Sequence, residues 1–144
     1  MKTVYRLLFA LHLFVGIGAI FGGLAAITNP EEPLGITVDA LKNSPFSNFL
    51  IPGIILFIVI GFGNVFSALM FQFKSKFQGY ISSVFSWALV IWIVVQCIML
   101  EAIAFLHILF FMIGVIEAVL SATILFKQRL FPANIILNLM KGKK

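Results

Sequence analysis

The stretch IAFLHILFFMIGVIEAVLSATILF, residues 103–126, decides the fold because it is almost entirely apolar. Its only ionisable side chains are those of His107 and Glu117. A helix needs about 20 residues to cross the ~30 Å hydrocarbon core of a bilayer, and this run is long enough. Three further apolar runs of similar length occupy residues 7–27, 49–71 and 80–100. The sequence therefore predicts four transmembrane helices.

The composition excludes a soluble domain. Hydrophobic residues make up 62% of the chain and charged residues 10%, whereas soluble domains carry about 25% charged residues. We expect an all-α membrane protein, an antiparallel four-transmembrane-helix bundle formed by residues 1–129, with an outside loop at 28–48. Residues 130–144 follow as a basic cytoplasmic tail.

The basic residues predict the topology. Lys42 falls in the outside loop, and the other nine of the ten basic residues fall on the opposite side: Lys2, Arg6, Lys74, Lys76, Lys127, Arg129, Lys141, Lys143 and Lys144. Basic residues collect on the cytoplasmic side of a membrane, which places both termini in the cytoplasm. Topology and attraction to anionic lipid account for the charge, so no nucleic-acid partner is predicted.

The two non-spanning segments carry weaker signals. In the tail, Asn134, Asn138 and Lys141 share one helical face, which predicts an amphipathic helix lying in the membrane interface; docking onto a partner would use the same helix. In the loop, Ser44-Pro45 resembles a helix start and predicts an early beginning of the second span. The loop itself is either a functional surface or a lid over the bundle.

Small residues recur along the runs and predict where the helices touch. Lipid supplies no hydrophobic drive for association, so helices must approach closely or form interhelical hydrogen bonds. The positions predicted to pack are Gly16, Gly18, Gly22, Gly23, Gly114, Ala118 and Ala122. Gly114, Ala118 and Ala122 form a stripe of small residues that would pack either within this bundle or against another subunit.

Polar side chains fall at two depths. Counting at 1.5 Å per residue places an inner layer about 12 Å from the cytoplasmic ends. This predicted inner layer comprises His12, Asn64, Ser86, Trp87 and Glu117. A predicted outer cluster comprises Gln96, Cys97, Glu101 and His107. We expect an apolar middle between them.

Glu117 carries the sharpest functional hypothesis. A carboxyl group in hydrocarbon is expected to be neutral unless it is paired, and His12 at matched depth is the natural partner. Such a pair would relay protons or hold a cationic substrate. Alternatively, the two groups form a structural hydrogen bond that Asn64 completes. For His107, a hydrogen bond to Gln96 is the corresponding structural interpretation.

Catalytic motifs are missing from the sequence. It contains no HExxH, GxSxG or Walker pattern, which leaves hydrolase and ATPase functions without support. No metal site and no cofactor are predicted, although an apolar ligand such as a lipid or quinone would suit the inner layer.

A resemblance covers a little over half of the chain, from residue 44 to about 125. It is carried by Ser44-Pro45-Phe46, Phe49, Ile51-Pro52-Gly53, Ser67-Ala68, Gly79 and residues 110–114. These residues resemble a class of small, uncharacterised bacterial inner-membrane proteins with four transmembrane helices. The resemblance implies bacterial origin and four-span topology, and it brings no activity.

These features favour a non-catalytic integral membrane protein, acting as an accessory or assembly subunit of a larger inner-membrane complex. Its partners would then be the lipid bilayer and another membrane protein, or further copies of this chain. A small proton-linked transporter using Glu117 and His12 is the alternative. A membrane enzyme or binder of an apolar ligand is the third candidate.

Overall fold

The protein forms an all-helical bundle in a computed structural model that describes residues 2–74, 76–128 and 133–142. Four helices are long and apolar enough to cross a membrane, which confirms the predicted all-α class and the four membrane-length helices. They are α1 (Lys2–Thr28), α2 (Leu50–Gln72), α3 (Gln78–Leu100) and α4 (Phe105–Lys127). A shorter helix, α5, spans Ala133–Gly142.

The helix ends follow local hydrogen bonding. α3 ends where Glu101 adopts a left-handed conformation with φ 50°. α4 begins at Phe105, two residues later than predicted, because Ala104 is extended and acts as the cap. The Ala104 carbonyl accepts the His107 N–H at 3.0 Å. In return, the Ala104 N–H donates to His107 Nδ1 at 3.0 Å, which satisfies a donor that a helix start would leave free.

The loop between α1 and α2 covers one end of the bundle, called the outer end here. It contains short 3₁₀ turns at Pro33–Gly35 and Val38–Leu41. Leu41 and Phe49 are buried against Ala26 of α1 and Met99 of α3. The loop therefore packs as a lid on the bundle.

The predicted early start of α2 at Ser44-Pro45 is wrong. The Ser44 hydroxyl donates to the Leu41 carbonyl at 2.8 Å and accepts the Phe46 N–H at 3.2 Å. These bonds close a turn instead of capping a helix, and α2 begins at Leu50. Pro52 then lies in the first turn, where its missing N–H costs little.

A π-helical segment interrupts α2 at Leu56–Phe62. Its wider turns rotate the side chains that follow relative to a continuous α-helix, and such segments often lie at functional sites. The segment contacts α1, where a Cβ at Gly61 would lie 2.7 Å from Ile20 Cγ1. Asn64, two residues beyond it, is fully buried.

Close contact between α1 and α2 depends on glycine. A Cβ at Gly16 would lie 2.6 Å from Val65 Cγ2, and one at Gly23 would lie 2.7 Å from the Phe57 backbone nitrogen. At the outer end, a Cβ at Gly53 would lie 2.6 Å from Ala26 Cβ. Residue numbers thus rise along α1 as those of their α2 neighbours fall.

The other small residues predicted to pack lie in different surroundings. Cβ atoms at Gly18 and Gly22 would meet Phe110 and Leu56 side chains at 3.5 and 3.4 Å, which is ordinary contact. On α4, Gly114 approaches α3 closely, since a Cβ there would lie 2.9 Å from Val90 Cγ2. Ala118 is buried and Ala122 is half-buried.

The helices form a ring in which α2 contacts α1 and α3, and α4 contacts α3 and α1. Three buried apolar clusters fill it from end to end. The middle cluster contains Val15, Ala19, Ile60, Leu89, Trp92, Ile93 and Ile113. The outer apolar cluster contains Ala26, Leu41, Phe49 and Met99, and the inner apolar cluster contains Leu8, Phe71 and Ile124. Large apolar side chains such as Phe21, Val84 and Ile91 point outward, as expected for contact with lipid.

Candidate functional site

Four polar side chains, one from each long helix, meet inside the bundle. They are His12 of α1, Asn64 of α2, Ser82 of α3 and Glu117 of α4, and each is 0% exposed. We call these four residues the inner polar cluster. The structure thus brings together three members of the predicted inner layer and adds Ser82.

Two short hydrogen bonds hold the His12 ring. Nδ1 lies 2.7 Å from Asn64 Oδ1, and Nε2 lies 2.7 Å from the Ser82 hydroxyl. The Asn64 amide nitrogen donates to the Ile60 carbonyl at 2.7 Å. Since this orients Oδ1 as the acceptor, His12 Nδ1 carries a proton and donates to it.

The Ser82 hydroxyl fits both charge states of His12. A hydroxyl donates or accepts by rotating its hydrogen. It donates to Nε2 when the ring is neutral and accepts from Nε2–H when the ring is charged. His12 can therefore gain or lose a proton while both of its hydrogen bonds are kept.

Glu117 is the unsatisfied member of the cluster. Its Oε1 lies 3.5 Å from His12 Nδ1, but the Nδ1 proton is directed at Asn64. Neither carboxyl oxygen has a hydrogen-bond partner among the described residues. A buried carboxylate without hydrogen bonds is costly, so Glu117 either carries a proton or acts as the counter-ion of a charged His12.

Serine hydroxyls surround the inner polar cluster and are satisfied within their own helices. Ser86 donates to the Ser82 carbonyl at 2.6 Å, and Ser121 donates to the Ala118 carbonyl at 2.9 Å. Ser67 of α2 donates to the Gly63 carbonyl at 3.0 Å. These three hydrogen bonds each lie within one helix.

The prediction that Trp87 lies in the inner layer is wrong. Trp87, predicted in the inner layer, is 55% exposed on the outer surface of α3. Trp92 is 7% exposed and belongs to the middle apolar cluster. Trp92 lies three residues after Leu89 and four before Gln96, so the three side chains share one face of α3. This spacing is the sequence signal that indicates its inward position.

The predicted outer residues divide between two depressions. Gln96 and His107 line a cavity of about 250 Å³, called the outer cavity here. Cys97, Glu101 and His107 line a more open recess between α3 and α4. The Glu101 carboxylate accepts a hydrogen bond from the Asn43 amide at 3.0 Å, which links α3 to the lid loop. Within the described ranges, no three His, Cys, Asp or Glu side chains converge as metal ligands.

Apolar layers close the inner polar cluster at both ends. Toward the outer cavity, Val15, Ile60 and Leu89 are at most 2% exposed and line the cavity floor. Val15 and Ile60 lie three and four residues from His12 and Asn64, so on α1 and α2 this layer is about one helical turn, or ~5 Å, thick. On α3, Leu89 lies seven residues from Ser82. On the other side lies the inner apolar cluster, in which Leu8 and Ile124 are 0% exposed.

Comparison of the chain with family models, with curated proteins and with solved structures gave no match.

Proposed function

We propose that the chain is an integral protein of the bacterial inner membrane whose spans alternate in direction, with both termini in the cytoplasm. Alternation is supported by the α1–α2 contacts, in which Gly16 lies near Val65 and Gly23 lies near Phe57. The asymmetry of the basic residues supports the orientation. The bacterial assignment rests on the resemblance carried by the region from residue 44 to about 125.

We further propose that the protein is a small proton-linked carrier and that Glu117 and His12 together hold the proton. One observation carries this proposal: the Glu117 carboxyl is fully buried beside His12 and has no hydrogen bond from the described residues. Intramembrane acids of this kind mark proton or substrate pathways in many membrane proteins.

The surroundings of the pair support proton exchange. His12 keeps its bonds to Asn64 and Ser82 in either charge state. One proton shared by the pair is therefore accommodated in two ways, with both groups neutral or with a charged His12 beside an ionised Glu117. A carboxyl needed only for helix packing would be expected to have hydrogen-bond partners, as most buried polar groups do.

The two apolar layers suit a carrier. They separate the inner polar cluster from both ends of the bundle, as expected of an occluded state. On α1 and α2 the outer layer is thin, about one helical turn, and it contains Ile60 of the π segment. A small rearrangement of α2 there would open the cluster toward the outer cavity.

An accessory or assembly subunit is the rival function. The outward-facing apolar side chains would suit embedding among other subunits, but contact with lipid explains them equally well. A subunit would need Glu117 only for stability or partner binding, so the two functions differ in what Glu117→Gln does to the folded protein.

The test is proton flux into vesicles that contain the purified protein and an entrapped pH-sensitive dye. We expect the wild type to dissipate an imposed pH gradient faster than empty vesicles, and Glu117→Gln to abolish the difference. Glu101→Gln is the matched control because Glu101 is exposed outside the spans. Equal fluxes through the wild type and folded Glu117→Gln would reject the carrier. Co-purification of another membrane protein, detected by native mass spectrometry, would then favour the subunit.

A further inference from the structure

The outer cavity is a separate feature from the inner polar cluster and has its own chemistry. It lies among the outer halves of α1 to α4, beneath the lid loop. Apolar side chains make up most of its lining. None of the described residues that line it carries a fixed charge. A ligand held there would be uncharged and largely apolar.

The polar groups around the outer cavity are hydrogen-bond donors. Trp92 lines the cavity, whereas its Nε1 is itself buried and has no acceptor in the part of the chain that the structure describes. An indole N–H can only donate. His107 Nδ1 accepts the Ala104 N–H, so the neutral ring carries its proton on Nε2 and offers a second donor. The Gln96 amide, also in the lining, supplies a third.

Two glycines provide the space for the outer cavity. Gly18 and Gly22 both line it, and a Cβ on either would make only ordinary contacts. They differ in this from Gly16 and Gly23, where a Cβ would collide with α2. Gly18 and Gly22 therefore leave a groove along α1 that α2 does not fill.

Two of the apolar side chains that line the outer cavity are exposed. Leu34 of the lid loop and Leu106 of α4 line it and are 81% and 60% exposed. An apolar molecule dissolved in the membrane would enter between these side chains. A cavity of ~150 Å³ holds benzene, so the 250 Å³ here accommodates a substituted ring or a segment of an acyl chain.

We propose that the outer cavity binds an uncharged apolar molecule beside Trp92 through its carbonyl oxygen, which accepts a hydrogen bond from Gln96 or His107. Two membrane components share this chemistry, a quinone ring and the ester of an acyl lipid. The site is independent of proton exchange at Glu117, and neither proposal needs the other.

The two tryptophans provide the assay. Trp87→Phe leaves Trp92 as the sole tryptophan and the reporter of the cavity. Trp92→Phe leaves Trp87, which is 55% exposed on the same helix and reports the surrounding lipid. Both variants are placed in lipid nanodiscs and titrated with three probes: a short-chain quinone, a brominated fatty-acid methyl ester and a brominated alkane of equal length. Each probe quenches tryptophan fluorescence on contact.

We expect saturable quenching of Trp92 by the quinone, the ester or both, whereas Trp87 is quenched only in proportion to the probe in the membrane. Saturation by one of the two identifies the source of the carbonyl. The alkane is expected to bind about tenfold more weakly than the ester, the equivalent of roughly one hydrogen bond. Equal binding of ester and alkane would overturn the role of the carbonyl. Absence of saturation with every probe would overturn the site.

A cavity-filling variant gives a second readout. Gly22→Leu in the Trp87→Phe background places a side chain in the outer cavity, and we expect the half-saturating concentration to rise at least about tenfold. Gln96→Leu tests the same site if Gly22→Leu does not fold, and it is expected to weaken ester binding more than alkane binding. Unchanged binding in folded Gly22→Leu, or in Gln96→Leu with His107→Leu added, would contradict the proposal.

Discussion

Alanine substitution of Gly22 and Gly23, which are neighbours in α1, is expected to affect the free energy of unfolding differently. At Gly23 a new Cβ would lie 2.7 Å from the Phe57 nitrogen and 2.8 Å from its Cα. These are backbone atoms, which cannot rotate away, and ordinary contact begins near 3.4 Å. Gly23→Ala therefore requires α1 and α2 to separate by about 0.7 Å, the difference between 3.4 and 2.7 Å.

The expected cost follows from packing. Extra methyl groups in well-packed interiors typically cost about 1–3 kcal/mol, and a backbone obstacle favours the upper part of that range. The higher helix propensity of alanine returns up to about 1 kcal/mol. We expect Gly23→Ala to lower the free energy of unfolding by about 1–2 kcal/mol. Gly22→Ala meets only the end of the Leu56 side chain at 3.4 Å and should leave stability unchanged or raise it slightly.

The assay is unfolding of each purified variant in mixed micelles with increasing sodium dodecyl sulfate, followed by circular dichroism. The two substitutions add the same atoms at adjacent positions, so differences in helix propensity cancel between them. If Gly23→Ala proves as stable as Gly22→Ala, the close α1–α2 contact is refuted.

Three further outcomes are expected. Asn64→Leu leaves the His12 Nδ1 donor without its acceptor, which should lower the free energy of unfolding by about 1–3 kcal/mol in the same titration. An unchanged free energy of unfolding would contradict the hydrogen bond between His12 and Asn64. In right-side-out vesicles, an impermeant amine reagent should label Lys42 but not Lys76 or Lys141, as read by mass spectrometry; the reverse pattern would invert the topology. A peptide of residues 130–144 should become helical on anionic vesicles more readily than on neutral ones, with a preference that high salt removes. Equal helicity on both would count against an interfacial α5.

The common level of three polar side chains along the bundle could be predicted from the sequence. Helical rise is fixed at 1.5 Å per residue, so counting from the run ends placed His12, Asn64 and Glu117 at one level. In the structure Nδ1 of His12 lies 2.7 Å from Asn64 Oδ1 and 3.5 Å from Glu117 Oε1. The presence of four membrane-length helices was predictable because apolar length is visible in the residue types, whereas their ends depend on local bonds: α1 already begins at Lys2.

The direction in which each side chain points was harder to predict. A run that is apolar on all sides gives little indication of its inward face. Trp87 and Trp92 lie five residues apart in such a run; Trp87, predicted to lie in the inner layer, is exposed, and Trp92 is buried in the middle apolar cluster. The π segment at Leu56–Phe62, which packs against α1, adds a rotation that the pattern of residue types does not reveal. A hydrogen bond between His107 and Gln96 was expected, but His107 Nδ1 instead accepts the Ala104 N–H at the start of its own helix.

The protonation of Glu117 tests the account most directly. It can be followed in infrared difference spectra of the membrane-embedded protein between acidic and alkaline pH, for the wild type and for Glu117→Gln. The account predicts a carboxylic-acid C=O band that changes with pH, shifts in D₂O, disappears in Glu117→Gln and persists in Glu101→Gln. A wild-type spectrum without this band, or a band that neither responds to pH nor exchanges with D₂O, would contradict proton exchange at the Glu117–His12 pair.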